Sequence, residues 1–147
     1  MMSDTIHILL ADDSADEHFL FIHTLKGVDD NVTVTTVNNG EELIARLNKA
    51  TGNLPHIIFL DINMPLKNGK ESLADIRQNK RLKELPVIIY STSDEKKDID
   101  ETYTLGANLY IKKPQDFIEL EEILAEVITL YRTEGIGRPD KKKYVYA

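Results

Sequence analysis

Short β-branched apolar runs recur along this chain, with stretches of helical period between them. Ile6-His7-Ile8-Leu9-Leu10-Ala11 reads as a strand. Ser14-Ala15-Asp16-Glu17 is a capping box, a hydroxyl cap with Glu three residues on. The helix it opens should run to about Lys26, with Gly27 as its left-handed stop. Val32 to Val37 is a second strand. Asn38 can cap a second helix with Glu41 at the third position, and Thr51-Gly52 closes it. Ile57 to Asp61 is a third strand, apolar on both faces, as expected for a central strand covered by helices on both sides. A third helix follows from about Asn68 to Lys80. Pro86 to Ser91 is a fourth strand, with Pro tolerated at its first residue. Ser93 caps a polar fourth helix that ends near Leu105-Gly106, and Asn108 to Lys112 is a short fifth strand. Asp116 with Glu119 opens the last helix. Its residues Phe117, Leu120, Leu124, Val127, Ile128 and Tyr131 form one apolar stripe of 3.6-residue period.

The order is βαβαβαβαβα, which implies an α/β fold with a parallel sheet and right-handed crossovers. At 147 residues, with 41% hydrophobic and 29% charged residues, the chain suits one domain, and roughly two-thirds of its unfolded surface can be buried. The composition shifts only at residues 134–147, a polar tail after a domain spanning 1–133. Its Arg138, Lys141, Lys142 and Lys143 against Glu134 and Asp140 leave it at +2. A frayed, solvated end is the plain expectation for it, and a docking arm for an acidic partner the sharper one. The absence of cysteine excludes disulfides, thiolate-bound zinc, iron–sulfur clusters and thiol catalysis. A net charge of −7 is a poor match to nucleic acid or to an anionic membrane. No apolar run approaches the ~20 residues of a membrane span, and the N-terminus lacks the basic start of a signal peptide. A soluble, cytoplasmic protein is the expectation.

In an open parallel sheet, sites form at the carboxyl ends of the strands. Here those ends are the polar part of otherwise apolar strands. The first ends in Asp12-Asp13, the third in Asp61, the fourth in Ser91-Thr92, and the fifth in Lys112-Lys113-Pro114. Three carboxylates on one rim repel one another and need a cation or raised pKa values. All-oxygen ligands without Cys suit a hard ion such as Mg²⁺. One Mg²⁺ and one lysine would balance the three negative charges. An aspartate in such a site can act as a nucleophile toward phosphorus, with a hydroxyl at Ser91 hydrogen-bonding a phosphoryl oxygen. Lys112 and Lys113 point to opposite faces, so one of them serves the site, and the residues alone leave open which. The four histidines, His7, His18, His23 and His56, lack metal-ligand spacing, His18 and His23 being five apart.

These residues carry a family resemblance. The pieces LLADDS, IIFLDINMPLKNG, PVIIYSTS and GANLYIKKP make the chain similar to a receiver domain of the two-component response regulators, over roughly residues 5 to 132. The separations of 30 residues from Asp61 to Ser91 and 22 from Ser91 to Lys113 match compact receivers. The 48 from Asp13 to Asp61 are a few more, which places small insertions around the second strand and helix. The form resembles stand-alone receivers, including those paired with phytochrome-type kinases. The resemblance implies a flavodoxin-like, doubly wound (βα)5 fold with strand order 2-1-3-4-5. It implies Asp61 as the phosphoacceptor. Mg²⁺, with Mn²⁺ as a substitute, would sit on Asp12, Asp13, Asp61 and the backbone carbonyl of Asn63. Ser91 and Lys113 would contact the phosphoryl group, and Tyr110 would turn inward when Ser91 moves. The bond before Pro114 would be cis. Asn63 and Ser93 stand where receivers tune phosphoryl lifetime.

The implied role is a signalling switch. A histidine kinase or a histidine phosphotransfer protein would dock by the first helix and the active-site loops and pass its phosphoryl group to Asp61. The face built from the fourth helix, fifth strand and fifth helix would then change its affinity for a downstream protein, with Ile99, Tyr103, Leu105 and Tyr110 as candidates on it. With no output domain after residue 132, the output would be protein binding, homodimerisation or phosphate relay. A catalyst acting on other molecules is not expected. A haloacid-dehalogenase-like phosphatase would need an acid–base Asp where Asn63 stands, and a flavin binder would not place Asp12-Asp13-Ser14-Ala15-Asp16 against a phosphate. A degenerate receiver that works without phosphorylation is the remaining alternative.

Overall fold

The computed structural model describes residues 5–49 and 53–147. Its elements are β1 (Ile6–Ala11), α1 (Ala15–Val28), β2 (Val32–Val37), α2 (Gly40–Lys49), β3 (Ile57–Leu60), α3 (Gly69–Gln78), β4 (Val87–Ser91), α4 (Lys96–Leu105), β5 (Leu109–Lys112), α5 (Phe117–Thr133) and α6 (Lys141–Tyr144). The five strands form one parallel sheet in the order β2-β1-β3-β4-β5. This is the doubly wound topology that the alternation of elements implies.

Successive strand residues feed opposite layers of the core. Ile8 and Leu10 of β1, Ile57 and Phe59 of β3, Ile88 and Tyr90 of β4 and Ile111 of β5 pack against α1 and α5. Leu9, Ala11, Ile58, Leu60, Val87, Ile89 and Tyr110 pack against α2, α3 and α4. All four β3 residues are buried, as its two-sided apolar run requires. Phe21, Phe59 and Tyr90 meet edge to face at centroid distances of 4.9 to 6.0 Å, a favoured aromatic geometry.

The caps explain where the helices begin. Ser14 Oγ accepts from Glu17 N, Asn68 and Glu71 form a reciprocal capping box, and Asp116 accepts from Glu119 N. Four expectations shift. Helix α1 runs through Gly27 to Val28 and ends where Asp29 turns extended, so Gly27 is helical rather than a stop. The pair at the start of α2 is Asn39 with Glu42, one residue on from Asn38 with Glu41. Asn39 Oδ1 accepts from Glu42 N while Glu42 Oε1 accepts from Asn38 N, so the two asparagines share the work. Ser93 precedes α4 without capping it directly; Glu95 is the cap residue, and Ser93 Oγ accepts from Glu95 N. Phe117 is 44% exposed, because at the first turn of α5 the stripe has run beyond the sheet. The expected stop at Thr51-Gly52 lies outside the described residues.

The tail departs most from expectation. Beyond α5 the chain turns back along β5, and Tyr144 is fully buried instead of lying on a solvated end. Val145 bridges Tyr110 in parallel, Tyr146 N donates to Tyr110 O at 2.9 Å, and Lys112 N donates to Ala147 O at 2.9 Å. A free sheet edge leaves backbone donors and acceptors unpaired, and the tail pairs those of β5.

Candidate functional site

Parallel register brings the carboxyl ends of β1, β3, β4 and β5 to one rim of the sheet. Asp12 and Asp13 follow β1, Asp61 follows β3, Ser91 ends β4, and Lys113 follows β5. One carboxylate oxygen from each of Asp12, Asp13 and Asp61 falls within 4.8 Å of the others. Asp12 and Asp61 are buried and Asp13 is exposed. The loop after β3 is held tightly. Gly69 N donates to Ile62 O at 2.8 Å, and a Cβ on Gly69 would lie 2.2 Å from the Asp61 carbonyl oxygen. Only glycine allows α3 to start this close to the acidic cluster.

Lys113 Nζ donates to Asp12 Oδ2 at 2.7 Å and to Asp61 Oδ2 at 3.4 Å, its side chain crossing the ends of β4 and β3. It passes over the Tyr90 ring, with Nζ 5.6 Å from the centroid. Lys112 points outward to Asp94 at 3.0 Å. The pleat therefore decides between the two lysines, and Lys113 is the one directed inward.

Burial pushes the Asp61 carboxyl up to about 6. Lys113 opposes that rise, the Asp12 charge adds to it, and the Asn63 backbone N–H lowers it. Burial also works against the Lys113 charge, but its bond to Asp12 and the fields of Asp61 and Asp12 outweigh it and raise its pKa. Three carboxylates and one ammonium sum to −2. A divalent cation cancels that charge, and an all-oxygen donor set suits a hard ion such as Mg²⁺ or Mn²⁺. The residues present therefore fit the metal. Asn63 adjoins the cluster, its N–H directed at Asp61 Oδ1 at 3.4 Å.

Ser91 is buried, its Oγ accepting from Ser93 N at 3.2 Å, and Lys113 N donates to Ser91 O at 2.7 Å. Tyr110 is turned inward, 1% exposed, with its hydroxyl donating to Ser93 O at 2.7 Å. Ser93 Oγ in turn donates to Asp98 Oδ2 at 2.5 Å, and Lys70 binds Asp98 at 2.7 Å. One polar chain thus links β5, the β4–α4 loop, α4 and α3.

The bond before Pro114 is trans, as are all described peptide bonds, which corrects the cis isomer that the resemblance implies. The two isomers of an X-Pro bond differ by only about 0.5–1 kcal/mol, and Lys113 reaches both carboxylates from the trans bond. The place of His18 at the site is not evident from the sequence. Its Nε2 donates to the Asp12 carbonyl oxygen at 2.6 Å, one turn inside α1. A histidine near the start of the helix after Asp12-Asp13 is the available signal. The Lys70–Asp98 pair is not readable either, since its partners lie on different helices.

The profile of the family described as the response regulator receiver domain matches residues 8–125. The response regulator Rcp1 of Synechocystis is 37% identical over 83 residues, a match covering 52% of this chain and 56% of that protein's length. Among solved structures, the phosphorylated cyanobacterial phytochrome response regulator RcpA superposes with a TM-score of 0.80 at 31% identity, covering 87% of this chain and 94% of that one. The Mn²⁺-bound form of Rcp1 superposes with a TM-score of 0.75 at 30% identity, covering 92% and 99%. None of the described helices is long and apolar enough to cross a membrane.

Proposed function

The chain belongs to the response regulator receiver family, and from that premise we propose that it is a phosphorylation switch whose acceptor is Asp61. The observation that carries this reading is the position of Lys113 Nζ. It is shared between Asp12 and Asp61 at the rim where, among the described residues, buried carboxylates gather.

Asp12, Asp13, Asp61 and the Asn63 backbone would hold the Mg²⁺ or Mn²⁺ that the family binds. When bound, the ion supplies positive charge that the rim lacks. An Asp61 carboxylate oxygen attacks the phosphorus of a phosphohistidine. An O–P bond forms, the P–N bond breaks, and the imidazole leaves with the electron pair and takes up a proton. Lys113 faces the oxygens on which negative charge collects, which stabilises the transfer without any motion of the backbone. Ser91 then turns its hydroxyl toward the phosphoryl group, and an inward Tyr110 fills the space behind it. Attack by water on phosphorus later returns Asp61 and inorganic phosphate. On this reading the chain catalyses its own phosphorylation and dephosphorylation and no other reaction.

The donor is a histidine kinase or a histidine phosphotransfer protein in the cytoplasm. Its docking ground is the apolar patch beside the rim, where Phe19 and Phe117 are exposed and His23 stacks on Phe19 at 5.8 Å. Intact mass after incubation with acetyl phosphate tests the reading. Wild type should gain a single phosphoryl group that requires Mg²⁺ or Mn²⁺, and Asp61→Asn should gain none. An unmodified wild type, or a modified Asp61→Asn, overturns it.

A further inference from the structure

The face formed by α4, β5 and α5 is not open, because the chain's own C-terminus lies on it. Tyr144 sits between α4 and β5, its ring edge-on to Tyr103 at 5.1 Å and to Tyr110 at 6.0 Å. Its hydroxyl shares a 2.7 Å hydrogen bond with Thr102 Oγ1, and both side chains are fully buried. The approach to Tyr144 is pinned at several points. Asn108 Nδ2 donates to Gly137 O at 2.9 Å, and Tyr103 Oη donates to Pro139 O at 3.1 Å. The Arg138 guanidinium lies 4.3 Å over the Tyr103 ring, and Lys141 pairs with Asp100 at 2.8 Å. Past Tyr144, the strap runs along the edge of β5 through a single bridge between Val145 and Tyr110, and Tyr146 Oη reaches Glu126 of α5 at 3.0 Å.

We infer that residues 137–147 form a strap that docks in cis and is coupled to the switch through contact between Tyr144 and Tyr110. The inference rests on the reading of Asp61 as a phosphoacceptor. The Tyr110 ring is held from within by Ser93 and closed from without by Tyr144. An outward turn of Tyr110 must enter the volume that Tyr144 fills, and packed interiors do not hold both rings. Strap docking and an inward Tyr110 therefore favour each other, and linkage makes the effect reciprocal. Whatever draws Tyr110 inward tightens the strap, and loss of the strap weakens the phosphorylated arrangement. A partner that reads the phosphoryl state meets the strap and not a bare β5.

The strap carries its own reporter, since trypsin cuts after Lys141, Lys142 and Lys143 only when the segment opens, while Pro139 protects the bond after Arg138. Cleavage of the full chain is followed by intact mass with and without Mg²⁺ and beryllofluoride, a phosphoryl mimic. Beryllofluoride should slow these cuts at least about fivefold, the lower end of ordinary coupling between sites, and should not slow them in Asp61→Asn. Tyr144→Ala should weaken beryllofluoride binding by the same factor. Tyr144→Phe, which keeps the ring, should retain most of the coupling. Equal cleavage rates together with unchanged beryllofluoride affinity in Tyr144→Ala overturn the strap inference while a phosphoryl adduct on Asp61 still stands. A wild type that binds neither acetyl phosphate's phosphoryl group nor beryllofluoride overturns both readings. A dimer in sedimentation whose straps resist trypsin only when paired overturns docking in cis.

Discussion

Asp61 is held at a cost that its chemistry requires. Burial and the neighbouring Asp12 charge disfavour its ionised form, and Lys113 offsets only part of that. A carboxyl at about 6 in the folded chain, against 3.8 as the reference, binds its proton more tightly folded than unfolded. Between those values stability falls as pH rises, and above about 6 the whole penalty is present. In the absence of metal, Asp61→Asn should therefore stabilise the protein at pH 7.5 by about 1–2 kcal/mol, after discounting for the carboxyl's partial exposure. The gain should shrink to roughly a third at pH 4.5, where folded Asp61 is protonated but the unfolded chain still ionises it, and should fade out only below 3.8. Urea unfolding of both proteins at the two pH values checks this, and an equal difference at both would contradict it. Mg²⁺ should reverse the order at pH 7.5 by stabilising wild type alone. Such residues were legible in the sequence as a set. One strand-end Asp can be a mere turn residue, as Asp12 also is toward Ser14 N, but charged or hydroxyl residues at the ends of four strands point to one shared site. The lysine was ambiguous until the pleat placed it, and the isomer before Pro114 was not legible because so little energy separates the two forms.

Elements were legible where several local signals agreed. Strand β2 and the starts of α1, α3 and α5 fall where the patterns and caps place them. Boundaries moved where two adjacent residues offered the same chemistry, as Asn38 and Asn39 do before α2. The glycines show why composition alone misleads. Gly27 is helical, and a Cβ there would meet nothing within 4 Å, whereas a Cβ on Gly69 would be driven into the backbone of Asp61 and Ile62 at 2.2 and 2.8 Å. Gly27→Ala should stabilise by about 0.5–1 kcal/mol, the ordinary helix preference for alanine. Gly69→Ala should destabilise by about 1–3 kcal/mol through overpacking. Because the strain falls on the Asp61 backbone, Gly69→Ala should also weaken Mg²⁺ binding, and Gly27→Ala should not. Thermal melts and a Mg²⁺ titration of the two variants separate the cases.

At the scale of the whole molecule, the strap was the least legible part. Its sequence, Lys-Lys-Lys-Tyr-Val-Tyr-Ala, reads as a charged end, because its partners lie on α4, β5 and α5 and no local pattern points to them. Arg77 was hidden for the same reason. A basic residue in the last turn of α3 looks like a solvated charge, yet its guanidinium donates to Gly106 O at 2.9 Å, to Lys83 O at 3.0 Å, to Leu85 O at 2.8 Å and to Asn108 Oδ1 at 2.9 Å. Asn108 Oδ1 also accepts from Val87 N, and its amide holds Gly137 at the root of the strap. Arg77 therefore joins α3, the α3–β4 loop and the α4–β5 turn directly, and reaches β4 and the strap through Asn108. Arg77→Ala should cost about 2–3 kcal/mol, since it strands several carbonyls at once. Arg77→Lys should recover little, because one ammonium cannot serve four acceptors set in a fork. If the strap folds as one unit with the sheet, losing Arg77 already loosens its root, and adding Tyr144→Ala costs less than it does in wild type. The double-mutant cycle in urea should then show at least about 0.5 kcal/mol of coupling. Additivity within that margin would mean that the strap docks on a domain complete without it.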